Sequence, residues 1–301
     1  MKKIIRKTKL FMDTVVDIKV VTSKSLEETE ASINRAFDFF REVERTCSRF
    51  SLDSELMKLC NQINKPVAVS SLLFEPLKFA LEVAKWTNGL FDPTVGQIME
   101  NVGFNQHYLT EELIQNNTSE TVTFSDISLN EEDKTILLKK PLVIDLGAVA
   151  KGFAIDLAVN VLRQFDGFIV NAGGDLYAGG LDDLGDKWKI GIQHPQNKEK
   201  IIHTIEISNM AVCTSGSYER KSGLNPGIHH IINPKNKKSP TELISCSIIA
   251  PFAMMADAFS TTCFLMGRKK GLTLLEEVGL EGILISSDLQ IYHKGVDNND
   301  N

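Results

Sequence analysis

No stretch of this 301-residue chain approaches the roughly 20 consecutive apolar residues that cross a bilayer, so no transmembrane helix is expected. The opening, Met1-Lys2-Lys3-Ile4-Ile5-Arg6-Lys7-Thr8-Lys9-Leu10, begins basic, but Lys and Arg interrupt it before the apolar run of a signal peptide can develop. It reads as the entrance to a strand. Cysteine is sparse and odd in number: Cys47, Cys60, Cys213, Cys246 and Cys263 lie far apart, with neither the CxxC spacing of a zinc site nor the density of a disulfide scaffold. Reduced thiols in a cytoplasm are the expectation, with an exported form whose leader has been removed as the alternative. Positive charge is not in excess either. A formal net charge of −6 argues against a general affinity for nucleic acid or anionic lipid, although local basic clusters can still meet phosphates. The GxxxxGK[ST] order of a P-loop and the GxGxxG of a dinucleotide fold are both missing. Thr214-Ser215 lacks the frame of a nucleophile elbow, which argues against a serine hydrolase. No internal repeat occurs, and the one biased segment is the polar tail Asp297 to Asn301, expected to fray.

What is present suits a globular protein, with 43% hydrophobic and 24% charged residues, enough to bury a sizeable core. The length accommodates one composite unit of two intimately joined halves. Residues Thr14 to Thr22 are β-branched with polar interruptions, which predicts a strand exposed on one side. Leu26, Ile33, Ala36, Phe37, Phe40 and Val43 recur at helical spacing after a Ser25 cap with Glu28 three residues on, so a long amphipathic helix should end near Arg45. A second helix is expected over 71–87, broken by the Gly and Pro of Asn88-Gly-Leu-Phe-Asp-Pro-Thr94. The polar segment 104–135 reads as variable connections with little function. Pro141 to Asp145 reads as a short strand, followed by a small-residue turn and a helix to about Phe165. Strands are expected at Gly167–Val170, Trp188–Ile192, Ile201–Ile207 and Ser247–Ala250. Beyond them, a helix begun by Pro251 carries Asp257 and Thr261, and two final strands lie near 283–285 and 290–292. Strands in succession make the class α+β.

Asp257 and Thr261 are four apart on the expected helix, so their oxygens share one face and can meet one hard cation, magnesium being the natural occupant. Alone, an acid in a first helical turn is better accounted for by the helix dipole. In Asp145 to Gly152 the small residues allow close backbone approach and Lys151 can neutralise a phosphate; a tight turn with a solvated lysine accounts for them as well. Asn171-Ala-Gly-Gly-Asp175 and Thr214 to Arg220 read as turns rich in hydrogen-bonding groups. His229 and His230, before an expected strand at Ile231-Ile232, titrate in the range useful for proton transfer. Phe50 and Phe91 can stack on a flat ring or belong to the core.

Taken in order along the chain, these pieces resemble the ApbE family of FAD:protein FMN transferases from residue 11 to about residue 293. The blocks are Met12-Asp-Thr14, Ser48-Arg-Phe50 with Ser54-Glu-Leu56, Phe91-Asp-Pro-Thr-Val-Gly96, Asp145-Leu-Gly-Ala-Val-Ala-Lys-Gly152, Asn171-Ala-Gly-Gly-Asp175, Thr214-Ser-Gly216, His230-Ile-Ile-Asn-Pro234 and Asp257-Ala-Phe-Ser-Thr261. The resemblance implies a single ApbE-like domain over 1–301: a composite α+β fold of sheets and flanking helices, related to T-folds, with FAD in a cleft between two halves. It implies FAD contacts from Met12, Phe50, Leu90, Phe91, Asp92, Asp145, Lys151, His230 and Ile232. Magnesium would be held by the Ala148 carbonyl, Asp257 and Thr261. The activity implied is magnesium-dependent transfer of FMN from FAD to a Thr or Ser hydroxyl in a short motif of an acceptor flavoprotein, with release of AMP. Asp257 and His230 would be catalytic, His230 as the base. A metal-dependent FAD pyrophosphatase and a non-catalytic FAD-binding protein are the alternatives. Three departures from the family pattern concern ligand geometry: Asp13 stands where glycine is usual, Asn233 where aspartate is frequent, and Ser217 where aspartate is common.

Overall fold

The computed structural model describes residues 2–116 and 121–295, so the polar tail falls outside the described residues. Two compact units emerge. The first comprises Met1–Arg41, Lys151–Tyr218 and Thr241–Asn301, the second Glu42–Ala150 and Glu219–Pro240.

The amino-terminal segment is a hairpin of β1 (Lys3–Phe11) and β2 (Thr14–Thr22), in register from Lys3 opposite Thr22 to Phe11 opposite Thr14. Its turn residues Met12 and Asp13 have φ of 53° and 59°, the left-handed pair that a two-residue hairpin turn requires. α1 (Leu26–Cys47) starts as its cap predicts: the Glu28 N–H donates to Ser25 Oγ at 3.1 Å. Its buried stripe is Ile33, Ala36, Phe37, Phe40 and Val43, while Leu26, the first of the periodic set read from the sequence, is exposed at the start of the helix.

Next along the chain come α2 (Glu55–Cys60), β3 (Val67–Ala68), α3 (Ser71–Trp86), a 3₁₀ turn at Pro93–Val95, α4 (Gly96–Asn101), β4 (Ile127–Asn130) and β5 (Thr135–Leu138). The second unit thus holds a small antiparallel sheet of order β3-β5-β4. α2, β3, α4, β4 and β5 fall where no element was expected. The reverse holds for 141–145, read as a strand: Leu142, Val143 and Ile144 are buried, but no ladder forms. Pro141 has no N–H to give, and the Asp145 N–H goes to the Pro93 carbonyl at 2.8 Å. Apolarity there serves packing without pairing.

α5 (Ala150–Leu162) leads into β6 (Gly167–Ala172), β7 (Asp175–Gly180), β8 (Trp188–His194), β9 (Asn197–Ile207), β10 (Met210–Gly216), β11 (Leu243–Ala250), α6 (Ala253–Met266), α7 (Arg268–Val278), β12 (Glu281–Ser286) and β13 (Ile291–Lys294). The first unit's main sheet has eight strands in the order β1-β2-β6-β7-β10-β11-β12-β13, every pair antiparallel. Beside it lies the β8–β9 ribbon, whose Trp188, Ile190, Ile192, Ile205 and Ile207 share one core with Val21, Leu176, Val212, Ile249 and Ile283 of the sheet. Three local expectations change. Thr214 to Gly216, read as a turn, lie in β10 with Thr214 opposite Ser247 and Ser215 opposite Cys246. Ile231 and Ile232 are buried outside any strand. Pro251 precedes the cap residue Phe252 instead of opening α6. Among the described residues no helix is long and apolar enough to cross a membrane.

Candidate functional site

Polar side chains on α6 are buried, and that sets the chemistry of the first unit. Asp257 is 5% exposed, and its Oδ2 accepts the Gly152 N–H at 3.2 Å. Close approach of α5 to α6 depends on that glycine, because a Cβ at residue 152 would lie 2.4 Å from the Ala253 carbonyl oxygen. Lys151, one residue earlier, pairs its Nζ with Asp175 Oδ2, and Asp175 Oδ1 accepts the Thr214 N–H at 2.8 Å. From the next turn of α5, Asp156 accepts the Ala253 and Met254 N–H groups at 2.7 and 2.9 Å, standing in for the side-chain cap that Phe252 cannot provide.

The electrostatics follow from this crowding. Burial, with the Asp175 charge adding to it, pushes the Asp257 carboxyl up to about 7 against the opposing effects of Lys151 and the Gly152 N–H. Burial would lower Lys151, but the Asp175 and Asp257 charges outweigh it and hold its proton firmly. Burial likewise raises Asp156 to about 6. Asp175 and Asp257 set against Lys151 leave one carboxylate without a compensating charge. A divalent cation would supply it, and the available donors are oxygens, the Asp257 carboxylate and the Thr261 hydroxyl one turn later. Among the described residues no group of three or more His, Cys, Asp or Glu gathers as a metal site. Any cation here is therefore held with few carboxylates, as suits a hard ion that keeps water and substrate oxygens.

In the second unit the sequence-selected residues are joined through one that was not selected, Arg49. It is 4% exposed; its Nε donates to Asp145 Oδ2 at 2.5 Å, its Nη2 to the Phe104 carbonyl at 2.6 Å, and its guanidinium lies 4.1 Å from the centre of the Phe50 ring. Asp145 Oδ1 also accepts the Gly147 N–H at 2.7 Å. Burial raises the Asp145 carboxyl, but Arg49 and this N–H more than offset it and hold the group below the usual carboxylate range. Asp92 clamps the turn after α3. Its Oδ1 accepts from Thr94 N and Oγ1 at 2.9 and 2.8 Å, and its Oδ2 from Phe124 N at 3.0 Å. The Phe91 and Ile232 side chains are buried, while Phe50, Leu90 and Ala148 are half-buried.

The two histidines differ. His229 Nδ1 accepts the Ile231 N–H at 3.3 Å, which places its proton on Nε2, 2.9 Å from the Pro240 carbonyl. Burial lowers its pKa, so it is a neutral structural ring. The His230 backbone N–H donates to the Arg220 carbonyl at 3.1 Å. All five cysteines are free and buried, and burial pushes Cys47 to about 12, Cys60 to about 11 and Cys213 and Cys246 well above the usual thiol range, which removes these four as thiolate nucleophiles.

The structure therefore gathers Lys151, Asp257 and Thr261 in the first unit. In the second it links Phe50 to Asp145, and Asp145 to the turn after Asp92. Met12 lies in the β1–β2 turn of the first unit. Sequence reasoning missed Arg49, Asp156 and Asp175. Arg49 and Asp175 lie inside quoted blocks, so position along the chain was a usable signal; Asp156 had none.

Comparison with known proteins gives the family and the fold. The model of the ApbE family matches residues 12–284. The chain belongs to the ApbE family. A FAD:protein FMN transferase of Treponema pallidum is 29% identical over 95% of this chain and 85% of its own length. One from Haemophilus influenzae is 27% identical over 91% and 84%. Among solved structures, the ApbE protein of Thermotoga maritima superposes with a TM-score of 0.85 at 27% identity, covering 97% of both chains. The flavin transferase ApbE of Vibrio cholerae shares the fold, with a TM-score of 0.84 at 23% identity over 98% of each chain. The α+β ApbE class expected from the sequence is thereby the observed one.

Proposed function

We infer that this chain is a FAD:protein FMN transferase, moving FMN from FAD to a Thr or Ser hydroxyl of an acceptor flavoprotein and releasing AMP. The observation that carries the reading is the buried Asp257 carboxylate, short of one positive charge, beside Lys151 and Thr261 in a chain of the ApbE family. Asp257 and Thr261 would hold magnesium, with the Ala148 carbonyl as the third protein oxygen that the family resemblance assigns. Bound there, the ion would supply charge stabilisation at the diphosphate of FAD.

The chain's own residues do the rest. Lys151, kept protonated between Asp175 and Asp257, provides a fixed positive charge for the leaving phosphate oxygens. Asp175 orients that lysine through its second bond to Thr214 N. Phe50, backed by Arg49, is the flat apolar surface for the isoalloxazine, with Met12, Leu90, Phe91 and Asp92 as its further contacts. Asp145 and the His230 to Ile232 segment attend the remainder of FAD. His230 takes the proton from the incoming hydroxyl; His229, whose two ring nitrogens are engaged with backbone, does not compete for that role. Residence in a cytoplasm accompanies this reading, in keeping with five free thiols.

The test is incubation with FAD, magnesium and an acceptor domain carrying a Thr or Ser flavinylation motif, followed by intact-mass analysis. A gain of one FMN on the acceptor is expected. Free FMN and AMP with an unmodified acceptor would make the protein a FAD pyrophosphatase. FAD binding without turnover, unaltered in Asp257→Ala, would make it a carrier.

A further inference from the structure

A row of hydroxyls connects β10 to α6 in the first unit. The Ser260 hydroxyl donates to the Asp257 carbonyl at 2.8 Å, Ser215 Oγ lies 2.8 Å from Ser260 Oγ, and Ser215 Oγ lies 3.0 Å from Thr261 Oγ1. Each hydroxyl owns one hydrogen and two lone pairs, so the direction of every bond can be worked out from the end of the row. A carbonyl cannot donate, so the Ser260 hydrogen is committed to Asp257. Ser215 must therefore provide the hydrogen between itself and Ser260. Its only hydrogen is then used, and Thr261 must provide the one between Thr261 and Ser215. The row runs Thr261 to Ser215 to Ser260 to the Asp257 carbonyl, all in one sense.

This order has a consequence for Thr261. Its hydrogen is turned toward β10, and what its oxygen presents elsewhere is lone-pair density, the form a hard cation requires. We propose that Ser215 is a positioning residue that makes Thr261 a pure oxygen donor to the divalent cation; this rests on the metal assignment given under the proposed function. Ser215 is 8% exposed and Ser260 1%, so bulk water is poorly placed to substitute for the serine. Without Ser215 the Thr261 hydrogen loses its acceptor, and every rotamer that aims it at the cation is repulsive. The same row ties the Asp257 carbonyl, and so the turn of α6 that carries the carboxylate, to the strand. Partners one shell removed from a metal typically change its affinity by about 10- to 100-fold.

Magnesium titrated alone by calorimetry into the full chain, with the magnesium dependence of FAD turnover in parallel, tests the idea. Ser215→Ala should weaken magnesium binding by about tenfold, and Ser215→Thr, which retains the hydroxyl, should restore most of it. In a Thr261→Val background, Ser215→Ala should weaken binding no further, because the effect travels through Thr261. Should Ser215→Ala misfold by circular dichroism, Ser215→Cys, with a weak donor and acceptor, is the substitute and should fall between alanine and wild type. The proposal is overturned if Ser215→Ala binds magnesium as wild type does while Thr261→Val binds it weakly, or if its effect is undiminished in the Thr261→Val background. If Asp257→Asn and Thr261→Val both leave magnesium binding intact, the metal assignment itself is wrong, and the role of Ser215 goes with it.

Discussion

Gly152→Ala sets two effects of opposite sign against each other. Inside a helix, replacing glycine by alanine ordinarily stabilises by about 1 kcal/mol, through backbone entropy. At this position the added Cβ would lie 2.4 Å from the Ala253 carbonyl oxygen, 2.5 Å from its carbon and 2.6 Å from Met254 Cα. All three are backbone atoms that cannot swing aside. Restoring ordinary contact needs a shift of about 1 Å between α5 and the start of α6, and overpacking of this kind costs about 1–3 kcal/mol, more where backbone must move. The overpacking wins. The same shift stretches the 3.2 Å bond from the Gly152 N–H to Asp257 and displaces the helix that carries Asp257 and Thr261, and a misplacement near 1 Å lowers turnover by about 100-fold. Thermal unfolding and steady-state turnover of FAD report the two consequences separately. An unfolding temperature equal to or above wild type, with turnover intact, would refute the close-packing argument for residue 152.

Asp145→Asn removes the closer of the two carboxylates beside the buried Arg49, leaving Glu100 at 4.0 Å, and should destabilise by about 1–3 kcal/mol, measured by denaturant unfolding at neutral pH. Because the folded Asp145 pKa lies below its unfolded value, that stability is present above about pH 4 and lost as pH falls through the folded value, so the variant should lose less than wild type in acid. Asp13→Gly relieves a non-glycine residue at φ 59° and should stabilise by about 0.5–1 kcal/mol, read from the same unfolding curves. His229, whose pKa burial lowers, binds a proton more readily unfolded; its contribution is whole above about pH 6.5 and declines below it. His229→Gln should flatten the stability profile below about pH 6.5, as thermal melts across acidic pH would record.

How much of this was legible in the chain depends on what each signal reports. Periodicity reports a face, so α1 with its Ser25 cap and α3 were readable almost to the residue. Composition reports burial but not pairing, which is why Leu142 to Ile144 were taken for a strand when they pack without a ladder. Thr214-Ser215-Gly216 carry turn-forming residue types, yet pairing with β11 on one side and β7 on the other holds β10 extended through tertiary contact. In the site, the i, i+4 spacing of Asp257 and Thr261 was enough to place both on one helix. Arg49 and Asp175, though inside quoted blocks, and Asp156, outside them, had no readable role because a charged residue reads as solvated surface until its burial and partner are known. Ser215 lay in a quoted block, but its role was not readable for a related reason: the direction of its hydrogen bond is decided by Ser260, 45 residues away in sequence.

The central claim is that Asp257 serves phosphoryl chemistry on FAD and not the fold. Its most direct test compares wild type with Asp257→Asn, matched in thermal stability, for FMN attachment to an acceptor by intact mass with and without magnesium. The account predicts an acceptor heavier by one FMN for wild type only when magnesium is present, and none for the folded variant. Attachment by Asp257→Asn at the wild-type rate, or by wild type in the presence of a chelator, would contradict it.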